Sequence, residues 1–242
     1  MQLLWEPCIR GDLVEAKRVL AEHGVRVLAQ IQYVFWLTCG YGHMEVLKWL
    51  LGLGRVDIHD SNDDAFRRAC RDGQLEVAKW LHGLGGVDIH AKQDGAFAGA
   101  CRDGHLVVAQ WLHGLGGVDI HAAKDSAFRG ACAGGHLRIA QWLYGLGGVN
   151  IHAKHEDAFR CACYNQHLHV ATWLFSLGGV DIHKAEDEAF YSACHRGNLR
   201  IGRWLVGLEP EWAWRLVWLQ SWSASRDAWL RAVAGPSSAG CT

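Results

Sequence analysis

A surplus of charge of either sign is missing from this 242-residue sequence, in which 24 lysines and arginines stand against 25 aspartates and glutamates. Without such a surplus there is no electrostatic footprint for nucleic acid or for an anionic membrane surface. The basic groups that do occur alternate with acids, so no nucleic-acid partner is expected. A long apolar run is missing as well. The most apolar stretch, Val25 to Gly54, is interrupted by Gln30, Gln32, His43, Glu45 and Lys48, whereas a membrane span needs about 20 apolar residues. The opening MQLLWEPCIRGD places Glu6 and Pro7 where a secretory signal needs an unbroken apolar core. The expectation is an intracellular, non-secreted chain with no membrane partner.

What the sequence has in abundance is itself. GHLVVAQWLHGLGGVDIHA begins at Gly104, and close copies begin at Gly73 and Gly135. Aligned on that glycine, Gly11, Gly42, Gly73, Gly104, Gly135 and Gly197 fall in register, with Gln166 in the sixth slot and every step 31 residues. Such a period marks a stacked-repeat architecture of six to seven units. Within a unit, Leu75, Val77, Ala78, Trp80, Leu81 and Leu84 cover a wide helical arc and leave mainly Glu76, Lys79 and His82 outside. Gly85-Gly86 then ends the helix. Val87-Asp88-Ile89-His90 alternates like a short extended segment. Asp94, just ahead of Ala96-Phe97 and Ala100-Cys101, is expected to be the N-cap of a second, shorter helix.

Nine cysteines would form a disulfide framework in a small secreted chain. Here Cys8, Cys39, Cys70, Cys101, Cys132, Cys163 and Cys194 recur every 31 residues. Stacked helices lie about 8–10 Å apart, too far for bridged cysteines, whose Cα atoms must come within about 7 Å. The stripe is expected to be small buried side chains in a reducing compartment. Phe66, Phe97, Phe128, Phe159 and Phe190 form a second stripe, and Trp49, Trp80, Trp111, Trp142, Trp173 and Trp204 a third. At helical spacing on an apolar face, these read as packing between repeats.

GHLVVAQWLHGLG resembles the second half of an ankyrin repeat, with a glycine-histidine opening, a leucine-rich helix and a closing glycine. Asp119-Ile120-His121 stands where ankyrin repeats usually have Asp-Val-Asn. The words AFRxACxxGHLxVAxWL and LGGVDIH are similar to the ankyrin-repeat proteins of giant DNA viruses of amoebae. The resemblance covers about Leu4 to Leu208. It implies an all-α, ankyrin-type helix-turn-helix solenoid, a non-enzymatic scaffold that binds another protein. Two departures stand out. Gly95-Ala96-Phe97-Ala98 and its counterparts replace the Thr-Pro-Leu-His that opens the first helix, and a loop shortened by about three residues removes the expectation of a projecting β-hairpin finger.

The same residues suggest other chemistry. His59, His90, His121, His152 and His183 each follow an aspartate or asparagine by two residues, so a metal ladder is imaginable. Zinc, however, wants four ligands around one point, and a loop hydrogen-bond ladder fits the spacing better. Cysteine, histidine and aspartate in one unit suggest a thiol hydrolase, yet catalysis needs one activated constellation instead of a copy in every unit. Cys161 and Cys241 fall outside the stripe, Cys161 being the more open to reaction. No enzyme activity, cofactor or metal is expected.

Variation between copies carries the partner information, because packing fixes the rest. The candidate partner-binding residues are Arg67, Arg71, Asp72, Arg102, Asp103, Arg129, Arg160, Tyr164, Tyr191, His195 and Arg196, on the first helix and just before the glycine. By resemblance these line the concave face and loop tips. An arginine-rich strip there suits a partner with acidic or aromatic groups. The solenoid is assigned to residues 1–208, a monomer whose first unit is a polar cap with Arg18 in the tryptophan slot. Residues 209–242 are assigned to a tryptophan-rich capping segment and flexible tail. The alternative reading makes that segment, with Trp212, Trp214, Trp218 and Trp222, a docking motif of a host-directed adaptor recruiting a second protein such as a ubiquitin-ligase component.

Overall fold

The computed structural model describes residues 4–24, 28–195 and 199–213, without the side chains of 185, 186, 195 and 199. These residues contain 14 α-helices, one 3-10 turn and no strand. The chain divides into two compact units, Met1–Ala153 and Lys154–Thr242. In the first, paired helices follow one another: α1 (Trp5–Ile9) with α2 (Leu13–His23), α3 (Ile31–Tyr41) with α4 (Met44–Gly52), α5 (Asp60–Arg71) with α6 (Leu75–Gly83), α7 (Ala91–Arg102) with α8 (Leu106–Gly114), and α9 (Ala122–Ala133) with α10 (Leu137–Leu146). The second unit holds most of α11 (Ala153–Tyr164), then α12 (Leu168–Ser176), α13 (Lys184–His195), α14 (Leu199–Leu208) and the 3-10 turn Pro210–Trp212. This is an all-α repeat solenoid fold.

First helices stack on first helices: α3 on α1, α5 on α3, α7 on α5 and α9 on α7. Cys8, Cys39, Cys70, Cys101 and Cys132 are buried and unbridged in those interfaces, as are Phe35, Phe66, Phe97 and Phe128. The ring of Phe66 meets Trp111 of the following repeat at 6.2 Å, and Phe97 meets Trp142 at the same distance. Burying a phenylalanine therefore requires a neighbour, and stability grows along the stack. In the first repeat Arg18, in the tryptophan slot, pairs instead with Glu15 and Glu22 on its own exposed helix face.

The stretch after each glycine pair departs from the extended reading. Ile89-His90 is a turn. Asp88 Oδ1 accepts the His90 backbone N–H at 2.9 Å. The chain then takes three residues in the left-handed region, Lys92 (φ 55°), Gln93 (φ 57°) and Asp94 (φ 56°), before α7 becomes right-handed. The same turn recurs at Ser61-Asn62-Asp63, Ala123-Lys124-Asp125 and Lys154-His155-Glu156. Each such residue costs roughly 1–2 kcal/mol, because Cβ crowds the following carbonyl.

Asp94 explains why the turn survives, and corrects its expected role as an N-cap. Its side chain is buried and spans two repeats. His90 Nδ1–H donates to Oδ1 at 2.7 Å, and the Asp119 backbone N–H of the next repeat donates to Oδ2 at 3.2 Å. Asp63 does the same with His59 and the Asp88 N–H, and Asp125 with His121 and the Asn150 N–H. Hydrogen bonds to a charged group contribute about 1.5–3 kcal/mol each, enough for the pair to offset most of the strain. The ladder starts at Gln32, which holds Asp57 through both its N–H and its carbonyl. In the second unit His183 Nδ1–H donates to Asp187 at 2.7 Å, and this bond holds the imidazole above its ordinary pKa.

The second glycine of each pair belongs to the same device. Gly117 has φ 75°, and a Cβ there would stand 3.1 Å from the His90 ring of the preceding repeat. Gly86 and Gly148 stand likewise against His59 and His121. Where the histidine slot holds Leu28, the glycine slot holds Arg55. A second set of contacts pins the other end of the pair: His43 Nε2–H donates to the Ile9 carbonyl at 2.8 Å and Gln74 Nε2–H to the Gly40 carbonyl at 3.1 Å. His136 bonds the Arg102 carbonyl in the same manner, and burial holds its pKa below the usual histidine value.

In the second unit, buried Trp212 covers Phe190 at 4.8 Å and His183 at 5.1 Å. The tryptophans from Trp214 onward, and the expected capping helix and tail, lie outside the described residues.

The ladder makes a local prediction. Asp94→Ala is expected to lower stability by about 2–4 kcal/mol and to speed amide hydrogen exchange at Asp119, while the Asp88 amide, held by Asp63, keeps its protection. Unchanged exchange at Asp119 would contradict the assignment.

Candidate partner-binding surface

Positions on the exposed side of the first helices are set by the left-handed turn that precedes each one. Arg67, at the start of the right-handed part of α5, folds back on that turn. Its Nε donates to the Asn62 carbonyl at 3.0 Å and its Nη2 to the Ser61 carbonyl at 3.2 Å, with Asp64 alongside. Arg129 grips the Lys124 and Ala123 carbonyls of α9 in the same way, at 2.9 and 3.1 Å. In the second unit Arg160 reaches the His155 carbonyl and stands 3.0 Å from Glu188. These three of the candidate residues thus hold their own loops together.

One turn further on, the surface is a charged lattice. Arg71 donates through Nε and Nη2 to both oxygens of Asp72, and Arg102 does so to Asp103. Arg71 also stands 3.9 Å from Asp103 of the next repeat, and Arg68 stands 3.5 Å from Asp72. The Arg102 side chain is 55% exposed. Its bond to Asp103 raises the guanidinium pKa and lowers that of the carboxyl, so both stay charged at neutral pH. The structure brings Arg67, Arg71, Arg102 and Arg129 onto the first helices of one compact unit, with Asp72 and Asp103 at the C-caps of α5 and α7. Arg160, Tyr164 and Tyr191 belong to the other, both tyrosines exposed. Arg196 lies outside the described residues, as does the side chain of His195.

Three contributors escaped the sequence reading. Arg68 completes the lattice alongside Asp64, a loop-tip residue that varies between repeats, and exposed Tyr33 and Tyr41 on α3 extend the surface toward the first repeat. Asp64 and Arg68 stand three residues before Arg67 and four before Asp72, pairings that helix spacing could have shown. The tyrosines occupy slots that hold no aromatic residue in the following repeats.

The cysteine stripe offers no thiolate. Burial pushes the Cys8 and Cys101 thiols up to about 12 and raises those of Cys39, Cys70 and Cys163 as well. A protonated, enclosed thiol is a poor nucleophile. The recurring histidines and aspartates are taken up by each other and by backbone N–H groups, the hydrogen-bond ladder that their spacing favoured. Among the described residues no three histidine, cysteine or acidic side chains gather where they could hold a metal ion, and no helix is long and apolar enough to cross a membrane.

A family model described as ankyrin repeats (many copies) matches residues 35–82 and 130–175. Over those two stretches the chain is similar to ankyrin repeats. The first matched stretch runs from within α3 to the end of α6, and the second from the end of α9 through α12. The repeat formed by α7 and α8 lies between them on the same 31-residue period. No curated protein matches the chain. Ankyrin repeats generally mediate protein–protein interaction, and proteins built from them are typically non-enzymatic scaffolds.

The arginines should separate by role. Arg67→Ala, which releases two loop carbonyls, is expected to cost about 1–2 kcal/mol. Arg102→Ala, at an exposed pair, should stay within about 0.5 kcal/mol of the parent. Urea denaturation checks both, and equal losses would contradict the division.

Proposed function

We propose that this chain is a binding scaffold that holds one partner protein against the concave face, made of the exposed sides of its first helices and the adjoining loop tips. One observation carries the reading. From repeat to repeat the buried residues and the ladder are copied almost unchanged, while the exposed first-helix positions differ: Arg71, Arg102 and Ala133 occupy equivalent places, as do Asp72, Asp103 and Gly134. Packing dictates the former and leaves the latter to recognition. The candidate residues named above are then the contact set, with Arg67, Arg129 and Arg160 shaping loops and Arg71, Asp72, Arg102, Asp103, Tyr164 and Tyr191 facing the partner. His195 and Arg196 complete the proposed set. The chain acts inside the cell.

The tryptophan-rich stretch after Leu208 supports a second reading, an adaptor that recruits another protein, such as a ubiquitin-ligase component, through that end. The resemblance to ankyrin-repeat proteins of amoebal giant viruses would make a host protein the target. Affinity purification from the native cell distinguishes the two. The scaffold reading expects a partner retained by the intact chain and lost with Arg71→Glu/Arg102→Glu. A partner that persists with that variant and is lost on removing residues 214–242 would overturn it in favour of the adaptor.

A further inference from the structure

The last repeat ends differently from those before it. Where Gly85-Gly86, Gly116-Gly117 and Gly147-Gly148 follow the earlier second helices, Glu209-Pro210 follows α14, and Trp212 stands in the place of Asp88. The slot matters because its occupant faces the histidine of the preceding repeat, as Gly86 faces His59. His183 thus stands beside Glu209, where His59, His90 and His121 stand against glycine. Its Nδ1–H donates to Asp187 at 2.7 Å, its Nε2 lies 3.8 Å from Glu209 Oε1, and its ring meets that of Trp212 edge to face at 5.1 Å. Asp181 accepts the His183 backbone N–H at 3.0 Å and adds a third negative charge, itself paired with Lys184 at 3.3 Å.

These contacts favour the charged ring. A carboxylate beside each ring nitrogen, one of them hydrogen-bonded, stabilises the imidazolium, and an indole within about 6 Å attracts a cation. The His183 pKa is raised above its ordinary value, the Asp187 bond being the largest cause. What that charge holds is the end of the second unit. The Trp212 indole, 4% exposed, lies over Phe190 at 4.8 Å, and the 3-10 turn joins it to Glu209 through a Trp212 N–H to Glu209 carbonyl bond of 3.0 Å. Attraction on the Glu209 carboxylate and on the indole therefore acts on one short turn. We propose that His183, Glu209 and Trp212 form a proton-operated latch over Phe190, closed while the imidazole is charged and loosened when it is neutral. Because the folded chain raises the histidine pKa, the stabilisation is complete below about pH 6.5 and is lost as pH rises through the higher folded value. The latch opens toward alkaline pH.

Amide hydrogen exchange of the full chain, corrected for its intrinsic pH dependence, reads the latch at Glu209 and Trp212, whose N–H groups donate to the Leu205 and Glu209 carbonyls. Protection there is expected to fall about fivefold between about pH 6 and about pH 9, the effect of one exposed ion pair together with one cation–π contact. The Leu53 amide, which donates to the Leu50 carbonyl in the first unit, keeps its protection over the same range. His183→Gln retains a donor for Asp187 without a charge, and is expected to show the weak, alkaline level of protection at every pH. His183→Arg, charged throughout, is expected to hold the acid level across the range, and Glu209→Gln to remove most of the fall. Equal pH profiles for the parent and His183→Gln would overturn the proposal. So would a fall at Leu53 as large as that at Trp212, which would mark a loosening of the whole chain and not of its end.

Discussion

A buried carboxylate that belongs to two repeats at once is the interaction on which the rest of this structure depends. Asp94 accepts one hydrogen bond from His90 of its own repeat and one from the backbone of Asp119 in the next. A charge with both oxygens bonded at a nearly enclosed site is stabilising, and the same charge stripped of a partner is costly. The left-handed turn that delivers Asp94 to that position is tolerable only while the bonds exist. Local strain and inter-repeat cohesion are thus coupled: a repeat that separates from its neighbour loses the interaction that keeps its own loop in shape.

Several repeated features follow from that coupling. After α6, α8 and α10 the glycine pair ends the second helix and keeps space for the preceding histidine ring. That histidine orients the aspartate. The arginines at Arg67 and Arg129 tie down the turn's exposed carbonyls. With the framework held along this edge and by the phenylalanine-tryptophan contacts inside, the exposed faces of α5, α7 and α9 carry little structural duty beyond those arginines. Freedom to vary Arg71, Arg102 and their neighbours without loss of fold is what a recognition surface requires.

The sequence was legible where its signal was periodic. The 31-residue step, the cysteine, phenylalanine and tryptophan stripes, and the second helix from Leu75 all follow from spacing and apolarity, and the structure shows them buried or packed as that spacing implies. The ladder was legible in part. Histidine and aspartate were recognised as hydrogen-bonding partners, but alternation suggested Asp88 as the companion of the His90 side chain, whereas Asp88 accepts the His90 backbone N–H and the ring donates to Asp94. Three consecutive left-handed residues without glycine leave no compositional mark, since Lys92 and Gln93 are ordinary helix formers. Arg67 read as a partner-facing residue for a related reason: besides Asp64, it is held by the Asn62 and Ser61 carbonyls, and no side-chain pattern reports those.

Cohesion between repeats is measured most directly by the slope of urea denaturation. In Asp63→Ala/Asp94→Ala/Asp125→Ala the helices and their apolar stripes remain while the carboxylates that bridge repeats are gone. The ladder account predicts a lower midpoint together with a shallower, separable transition, because repeats then unfold in smaller groups and each step exposes less surface. A lower midpoint with the parent's slope would mean that apolar packing alone couples the repeats, and would contradict it.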